Sequence, residues 1–260
     1  MSSIGVTVDR VSKTYVTPDG RETEALATTS FQLSPGEFVT LVGPSGCGKT
    51  TLLKICAGLI RPSTGGVSSS ASGERMRPGD SGMVFQAPGL LPWRTTLDNV
   101  LLPADILGMN RQSAKERALD LLDLVQLSSA TRHYPNELSG GMQQRAAIAR
   151  ALLHDPGILF MDEPFAALDA MTREDLNMEL QRLHHSQGKT VLFVTHGISE
   201  AVLMSDRVLV MSASPGRIVE EIRIDAPRPR RPAQFLLSDD ARTAEANIRG
   251  AMDKYGAASR

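Results

Sequence analysis

The stretch FVTLVGPSGCGKTTLLKICAGL, residues 38–59, decides the fold. A short β-forming run leads into GPSGCGKT at 43–50, which fits the pattern Gly-x4-Gly-Lys-Ser/Thr, and a helical pattern follows. In this strand–loop–helix context, backbone N–H groups of the loop wrap nucleotide phosphates, Lys49 reaches the β and γ phosphates, and the Thr50 hydroxyl binds Mg2+. The residues predicted to bind nucleotide here are Gly43, Pro44, Ser45, Gly46, Cys47, Gly48, Lys49, Thr50 and Thr51.

A second element that favours anions is predicted far along the chain, in LSGGMQQR at 138–145. Ser139 offers a hydroxyl, and Gly140 and Gly141 offer unobstructed amides, at the start of a predicted helix whose N-terminus attracts negative charge. One nucleotide needs only one loop to hold its phosphates. The second element therefore predicts that the nucleotide is sandwiched between two copies of the chain.

Acids and a histidine follow two predicted core strands. The apolar run ILFMDEP (158–164) ends in Asp162 and Glu163, and KTVLFVTH (189–196) ends in His196. Open α/β sheets bind ligands at the carboxyl ends of their strands. Because consecutive strand residues point to opposite faces, we expect one carboxylate to hold the magnesium shell and the other to polarise the attacking water. The simpler alternative is a pair of acids at a solvent-exposed strand end.

Alternation of strands and helices along the rest of the chain indicates a parallel α/β sheet. Residues 4–42 alternate β-rich runs with turns, and the Ser-, Gly- and Pro-rich segment 61–82 predicts loops or weak hairpin strands before the strand GMVFQ, which ends at Gln86. From about 88 to 150 the pattern is helical and predicts an inserted subdomain, with a capping box at Ser113-x-x-Glu116.

The segment 226–260 opens with PRPRRP and is expected to finish as a polar helix. Arg228, Arg230 and Arg231 are interpreted as a solvated cluster. Tyr15, after the first strand-forming run, is a candidate to stack on adenine, with core packing as the alternative. Cys47 lies inside the phosphate loop, where positive potential is expected to lower the pKa of its thiol, and it is interpreted as a small residue that the loop tolerates.

Composition and charge narrow the function classes. The chain has 260 residues, 41% of them hydrophobic, which suits one large domain or a domain with an inserted subdomain. No apolar run reaches the ~20 residues of a membrane span, and the absence of a signal segment predicts a cytoplasmic chain. Two cysteines provide no disulfide framework. A net charge of −1 without a long basic stretch argues against a nucleic-acid partner.

Taken in order, GPSGCGKT, Gln86, LSGGMQQR, ILFMDE, Leu168-Asp169 and His196 resemble the motifs of the nucleotide-binding subunit of an ABC transporter, over roughly residues 4–225. The resemblance implies an α/β fold: a P-loop NTPase (ABC ATPase) core with a mixed sheet, a small antiparallel β subdomain and an inserted α-helical subdomain. It implies one nucleotide-binding domain over 1–260, with a core at 1–87 and 151–225, a helical subdomain at about 88–150 and a C-terminal tail at 226–260.

The same resemblance assigns roles to the site residues. ATP and Mg2+ are the implied cofactors, and the metal is held by Thr50, Gln86 and Asp162. Glu163 is implied to be the catalytic base and His196 the γ-phosphate switch. Gln86 contacts magnesium and the attacking water while sensing the membrane partner. Asp169 resembles the residue that links two composite sites, each completed by Ser139, Gly140 and Gly141 of the other copy.

A finer resemblance is to the ATPases of nitrate, sulfonate and taurine importers. It is carried by FQAPGLLPWRTTLDNV (85–100), EPFAALDAMTRE (163–174), SASPGRIV (212–219) and DAPRPR (225–230), stretches that it assigns to contact with the permease. The implied protein is a homodimeric ABC-type ATPase on the cytoplasmic face of the membrane. Its implied partners are integral-membrane permease subunits and, indirectly, a periplasmic or extracellular solute-binding protein.

Two further local features concern the predicted docking surface and a departure from the family pattern. Leu90, Leu91, Pro92 and Trp93 are candidates for the permease-docking surface, with core packing as the alternative for each. Gly197 follows the switch histidine where the family usually has Asp, so any contact made by that acid is lost or supplied elsewhere.

Three other functions were weighed. An importer ATPase for a different small solute fits the same motifs. A soluble ABC ATPase that works on DNA or ribosomes typically carries long coiled-coil insertions or two cassettes, which this chain lacks. A phosphate-loop kinase or regulatory switch would not need LSGGMQQR.

Overall fold

The computed structural model describes residues 3–70, 72–166, 168–213 and 215–256. In chain order its main elements are β1 (Val6–Val16), β2 (Glu22–Leu33), β3 (Phe38–Val42), α1 (Lys49–Cys56), β4 (Thr64–Ser69), β5 (Ser81–Val84), α2 (Thr96–Val100), α3 (Leu102–Leu107), α4 (Arg111–Leu124), α5 (Gly140–Leu152), β6 (Ile158–Asp162), α6 (Ala170–Gln187), β7 (Thr190–Val194), α7 (Ile198–Met204), β8 (Arg207–Met211), β9 (Ile218–Arg223), α8 (Pro232–Phe235) and α9 (Asp239–Gly256). Among these residues, no helix combines the length and the apolar character that crossing a membrane requires.

The larger sheet has six strands in the order β5-β6-β7-β3-β8-β9. Neighbouring strands from β5 to β8 are parallel, and β9 joins β8 in the antiparallel sense. Every residue of β3, β6 and β7 is buried, because one face of this part of the sheet packs against α1 and the smaller sheet and the other face against helices. Their carboxyl ends therefore meet at one edge, where the chain enters its motif-bearing loops.

The smaller sheet is antiparallel, in the order β2-β1-β4. The polar segment that was predicted to form loops or weak hairpin strands contributes β4, in which Ser68 pairs with Thr7 and Ser69 with Val6. Its pairing partner is distant in sequence, so a local pattern could not reveal it. The predicted α/β fold, with a mixed sheet and a separate small antiparallel sheet, is confirmed.

Helices α2 to α5 pack on one another over residues 96–152. The capping box predicted at Ser113 and Glu116 is wrong. Helix α4 begins at Arg111, and its N-cap is Asn110, whose side chain accepts hydrogen bonds from the backbone N–H groups of Gln112 and Ser113. Asn110 lies one turn before Ser113 and already accepts hydrogen bonds from the free N–H groups at the start of the helix, so Ser113 lies inside the helix.

The C-terminal segment is part of the core, and describing its last helix as polar was incomplete. One face of α9 is buried against α7, β8 and β9, through Ala241, Ala244, Ile248 and Ala251. The opposite face is polar, so the helix is amphipathic. Residues 257–260 of the predicted tail lie outside the described residues.

The predicted solvated arginine cluster is wrong for two of its three members. Arg230 is only 2% exposed, and its guanidinium donates to five or more backbone carbonyls, among them those of Val202 (3.0 Å), Ile224 (3.0 Å) and Ala226 (3.0 Å). Burial lowers its pKa to about 10. The last carbonyls of α7 have no intrahelical partners, and the planar five-donor head of Arg230 satisfies them.

The neighbouring arginines differ from Arg230. Arg228 forms an ion pair with Asp206, with Nη2 2.8 Å from Oδ1, and its side chain is largely buried. Arg231 alone is exposed. The segment after β9 is thus bound to the end of α7 by two arginine side chains.

Replacing the buried arginine should destabilise the fold. Arg230→Ala leaves several buried carbonyls without a donor, so we expect the free energy of unfolding to fall by more than about 2 kcal/mol. Equilibrium urea unfolding measures this directly. The matched control Arg231→Ala removes an exposed side chain of the same kind and should change stability by less than about 0.5 kcal/mol. Equal effects of the two variants would contradict the structural role of Arg230.

Candidate active site

The predicted phosphate loop connects β3 to α1, and its backbone requires glycine. Gly46 and Gly48 have φ angles of +78° and +92°. A Cβ atom on Gly48 would also lie 2.7 Å from Cδ2 of Leu26 and 2.8 Å from the carbonyl oxygen of Ala25 in β2. Glycine at position 48 therefore meets two demands, a left-handed backbone and close contact with the smaller sheet.

Lys49 opens α1 and turns its side chain into the loop. Nζ of this buried residue lies 2.8 Å from the carbonyl oxygen of Gly43 and 3.0 Å from that of Pro44. Ser45 and Gly46 are exposed at the rim of the loop, and Thr51 follows in the first turn of α1. The ammonium group is thus held against the backbone carbonyls of the loop whose N–H groups are predicted to bind phosphate.

Thr50 joins the phosphate loop to the end of β6. Its hydroxyl donates a hydrogen bond of 2.9 Å to Oδ1 of Asp162, which is 3% exposed. Burial raises the pKa of Asp162, and the Thr50 hydrogen bond opposes that rise. The two strands concerned, β3 and β6, are not neighbours, because β7 lies between them.

The oxygen atoms of Thr50 and Asp162 fit Mg2+, which completes its shell with phosphate and water, better than a metal that needs all of its ligands from the protein. Among the described residues, no group of three or more His, Cys, Asp or Glu side chains could hold an ion. Mg2+ typically takes one or two protein oxygens and completes its shell with phosphate and water. Thr50 and Asp162 offer two such oxygens side by side, and a bound Mg2+ would neutralise phosphate charge there.

Glu163 occupies an unusual backbone position directly after β6. Its φ angle is +45°, which costs energy for a residue with a side chain. Its N–H donates to the carbonyl of Val194 in β7 at 2.9 Å, so the strained residue is fixed to the neighbouring strand.

The structure brings three predicted catalytic residues together around one oxygen atom. Oε2 of Glu163 lies 3.4 Å from Nε2 of Gln86 and 3.4 Å from Nδ1 of His196. Gln86 follows β5, which ends at Val84, and His196 lies two residues past the end of β7. Gln86 therefore contacts Glu163, while its predicted contact with the metal stays a prediction.

The predicted anion-binding residues of the LSGGMQQR motif lie at the start of α5. Ser139 is the N-cap, and its hydroxyl accepts a hydrogen bond of 3.3 Å from the N–H of Met142. Ser139 and Gly140 are exposed, and a Cβ on Gly140 would meet nothing within 4 Å. Gly141 lies close to Leu168, with 3.0 Å between a Cβ built there and Cδ2 of the leucine. The amides at this helix end are accessible to an approaching anion.

A link that the sequence did not reveal connects α5 to the segment that contains Gln86. Gln144 donates from Nε2 to the carbonyl of Phe85 at 3.0 Å. Arg150 donates to the carbonyls of Pro88 at 2.6 Å and Gly89 at 2.7 Å. Burial lowers the pKa of Arg150. The sequence offered one signal for this link, because Gln144 and Arg150 are polar residues on a helix that is rich in buried alanines.

Tyr15 lies in β1 with its ring 41% exposed. It pairs with Thr23 of β2, the strand whose Ala25 and Leu26 contact the phosphate loop at Gly48. Nζ of Lys13 lies 5.0 Å from the centre of the tyrosine ring. Exposure makes core packing the weaker alternative for Tyr15, and adenine stacking stays a prediction.

The predicted lowering of the Cys47 pKa is wrong. Cys47 is 1% exposed, and burial raises the pKa of its thiol more than the nearby Lys49 ammonium lowers it. The residue is covered by Gly216, where a Cβ would lie 1.8 Å from the carbonyl oxygen of Cys47. The positive potential of the phosphate loop was expected to determine the pKa of this thiol, but loss of water around the thiolate has the larger effect.

Parts of two stretches that the resemblance assigns to permease contact also make contacts within the chain, and their contact with a permease stays a prediction. Gly216, in 212–219, exchanges backbone hydrogen bonds with Ala25 and Ala27 of β2 and backs onto the phosphate loop. Arg228 and Arg230, in 225–230, hold the end of α7. Ser214 and, in the stretch 163–174, Ala167 lie outside the described residues.

A family model described as ABC transporter matches residues 26–166. An aliphatic sulfonates import ATP-binding protein of Bacillus cereus is 44% identical, covering 86% of this chain and 88% of the relative. A taurine import ATP-binding protein of Rhizobium johnstonii is 42% identical, covering 92% and 90%.

A third relative is longer than this chain. A nitrate import ATP-binding protein of Synechococcus elongatus is 42% identical over 90% of this chain, which spans only 36% of the relative. Among solved structures, a dimeric post-hydrolysis ATP-binding cassette bound to ADP and Pi superposes with a TM-score of 0.76. It is 35% identical and covers 85% of this chain and all of its own.

The buried thiol of the phosphate loop should be poorly reactive. Because burial raises the pKa of Cys47, its thiolate fraction at pH 8 is below that of an ordinary cysteine, and we expect alkylation at least about tenfold slower than in the urea-unfolded chain. Iodoacetamide labelling with peptide mass spectrometry gives both rates. Cys56, whose pKa burial raises to about 12, is the internal comparison and should react still more slowly. Equal rates for Cys47 in the native and unfolded chains would contradict its burial.

Proposed function

This chain belongs to the ABC transporter family, and we propose that it is the ATP-hydrolysing subunit of an importer for small anions of the nitrate, sulfonate or taurine type. The observation that carries the proposal is the meeting of Glu163, Gln86 and His196 beside a phosphate loop. A second anion-binding helix end, at Ser139, completes the set of parts that an ATP-driven dimer requires.

In the proposed mechanism the phosphate loop holds and orients ATP. Backbone amides of the loop and the ammonium of Lys49 bind the phosphates and stabilise negative charge as the γ-phosphoryl group is transferred. Thr50 and Asp162 would hold Mg2+, which supplies further charge neutralisation. Phosphoryl transfer needs little covalent chemistry from the protein, so positioning and electrostatics account for most of the catalysis.

Glu163 acts as the general base in this proposal. Its carboxylate orients a water molecule and accepts its proton as the water attacks phosphorus. Gln86 donates to the same carboxylate, and Nδ1 of His196 lies 3.4 Å from the same oxygen. In this proposal His196 holds the γ-phosphate. The three side chains share one oxygen of Glu163, so a change in any of them alters the position of the base.

The nucleotide site is proposed to be completed by a second copy of the chain. Ser139, Gly140 and Gly141 of one copy would bind the phosphates held by Lys49 of the other. Their amides are accessible in the single chain, which leaves them available for this contact. The solved cassette that resembles this chain is dimeric and holds ADP and Pi, which supports the arrangement.

Coupling to transport is proposed to occur through the segment after Gln86. In this proposal the chain lies on the cytoplasmic face of the membrane and docks to integral-membrane permease subunits. Through the permease it is linked indirectly to a periplasmic or extracellular solute-binding protein. Trp93 is 72% exposed and Pro92 is also exposed, whereas Leu90 and Leu91 are partly buried. The docking role is therefore assigned to Pro92 and Trp93, and core packing to the two leucines.

The class of solute rests on the relatives alone. The sulfonate, taurine and nitrate relatives are named for import, at 42–44% identity. Import of another small solute is the remaining alternative, because selectivity lies in partner proteins. A soluble ABC ATPase is not favoured by any of these relatives.

The role of Glu163 is tested by an isosteric change. Glu163→Gln removes the proton acceptor but keeps the shape, so ATP turnover should fall at least about 100-fold. Affinity for ATP should be retained, and an ATP-bound dimer should persist in size-exclusion chromatography. Glu174→Gln, an exposed carboxylate beside the same cavity, is the control and should hydrolyse normally. Normal turnover by Glu163→Gln would show that another group is the base.

The docking role of Trp93 gives a second test. Trp93 is the only tryptophan, so its emission should shift when the detergent-solubilised permease binds. Trp93→Ala should weaken permease binding at least about tenfold and leave ATP turnover of the isolated subunit within about twofold. Leu237→Ala, another exposed apolar residue, should change neither. Unaltered emission and affinity would place the docking surface elsewhere.

A further inference from the structure

The loop that carries His196 is held by a relay of hydrogen bonds. Gly197 is the N-cap of α7 and has no side chain with which to cap it. Its N–H instead donates to Oγ1 of Thr195 at 3.0 Å. The Thr195 hydroxyl in turn donates to Oε2 of Glu200, in the first turn of α7. An ordinary capping box would join the N-cap N–H directly to the glutamate, whereas here Thr195 stands between them.

Resting on the proposed function of Glu163 and His196, we propose that Glu200 is a positioning residue for hydrolysis, which acts through Thr195 to fix the turn 195–197. His196 is the middle residue of that turn. Its Nδ1 lies 3.4 Å from Oε2 of Glu163, so a small rotation of the turn changes this separation. Effects of this kind are large, because displacements of about 1 Å can change rates about 100-fold.

The surroundings of Glu200 are unusual for a residue that serves only to cap a helix. Burial raises its pKa, while the Thr195 hydrogen bond and the Arg173 guanidinium lower it. Asn177 also faces the carboxylate of Glu200 closely enough to lower its pKa. A cavity of about 310 Å3 is lined by Glu200 together with Glu163 and His196. Glu200 thus lies in the same cavity as the residues that it is proposed to position.

Gly197 gives an independent reason to assign this role to Glu200. A Cβ at position 197 would lie 3.4 Å from Cβ of Glu200, 3.5 Å from Oγ1 of Thr195 and 4.0 Å from Oε2 of Glu200. A carboxylate at position 197 would therefore stand against the carboxylate of Glu200. With glycine there, Thr195 and Glu200 supply the fixed contacts of the turn.

Four variants test the relay. Glu200→Ala and Thr195→Val each break it and should lower kcat at least about tenfold, while the Kd for ATP stays within about twofold. Glu200→Gln and Thr195→Ser keep an acceptor and a donor in place, so both should stay within about threefold of wild type. Both residues act in one chain of contacts, so their effects should not add. The kcat of the double variant Glu200→Ala/Thr195→Val should therefore be within about twofold of that of Thr195→Val.

Controls separate positioning from general stability. Glu174→Ala removes an exposed carboxylate from the same cavity and should leave kcat unchanged. Thermal unfolding of every variant shows whether it is folded at the assay temperature, and Thr195→Val, nearly equal in shape, tests the relay if Glu200→Ala unfolds. A folded Glu200→Ala or Thr195→Val with kcat within about twofold of wild type would overturn the proposal, as would additive losses in the double variant.

The outcome is distinguishable from failure of the proposed function. If Glu163→Gln hydrolyses ATP normally, the catalytic assignment itself fails. If Glu163→Gln is inactive while Glu200→Ala is fully active, the assignment of Glu163 stands and only the positioning role of Glu200 is overturned.

Discussion

The site depends on one constraint, the side-by-side parallel packing of β6, β7 and β3, whose residues are all buried. Parallel strands must end at the same edge, so the turn at Glu163, the turn at His196 and the phosphate loop emerge together. The Thr50–Asp162 hydrogen bond spans β7 and ties the two outer strands of this trio. Glu163 accepts a strained φ angle because its N–H remains bonded to β7.

The three carboxylates near this edge differ in how deeply they are buried and in what they contact. Asp162 is almost completely buried, and its raised pKa reflects loss of water that a bound cation would offset. The side chain of Glu163 is 21% exposed, which leaves its carboxylate accessible to water. Glu200 is partly buried beside the cavity and accepts a hydrogen bond from the Thr195 hydroxyl. Three acids of similar intrinsic acidity are thus distinguished by position alone.

Much of this arrangement could be predicted from sequence, because its determinants are contiguous. The phosphate loop, the apolar strands and the residues that end them are short patterns whose chemistry is local. The parallel α/β sheet followed from the alternation of strands and helices, whereas the separate antiparallel sheet was implied by the family resemblance. What the patterns missed depends on distant contacts: the pairing of Ser68 with β1, the capping of α7 by Arg230, and the burial of Cys47 beneath Gly216. Charge type alone suggested a solvated arginine, but only the fold shows which carbonyls need its donors.

The bonds from Gln144 and Arg150 to residues 85–89 have a mechanical consequence. Helix α5 has 13 residues, a rod of about 20 Å, and is fastened to that segment at two points about six residues apart. Two attachments on a rigid rod transmit torque as well as translation. We therefore expect a displacement of residues 85–89 to move the helix with them, including its exposed N-cap Ser139.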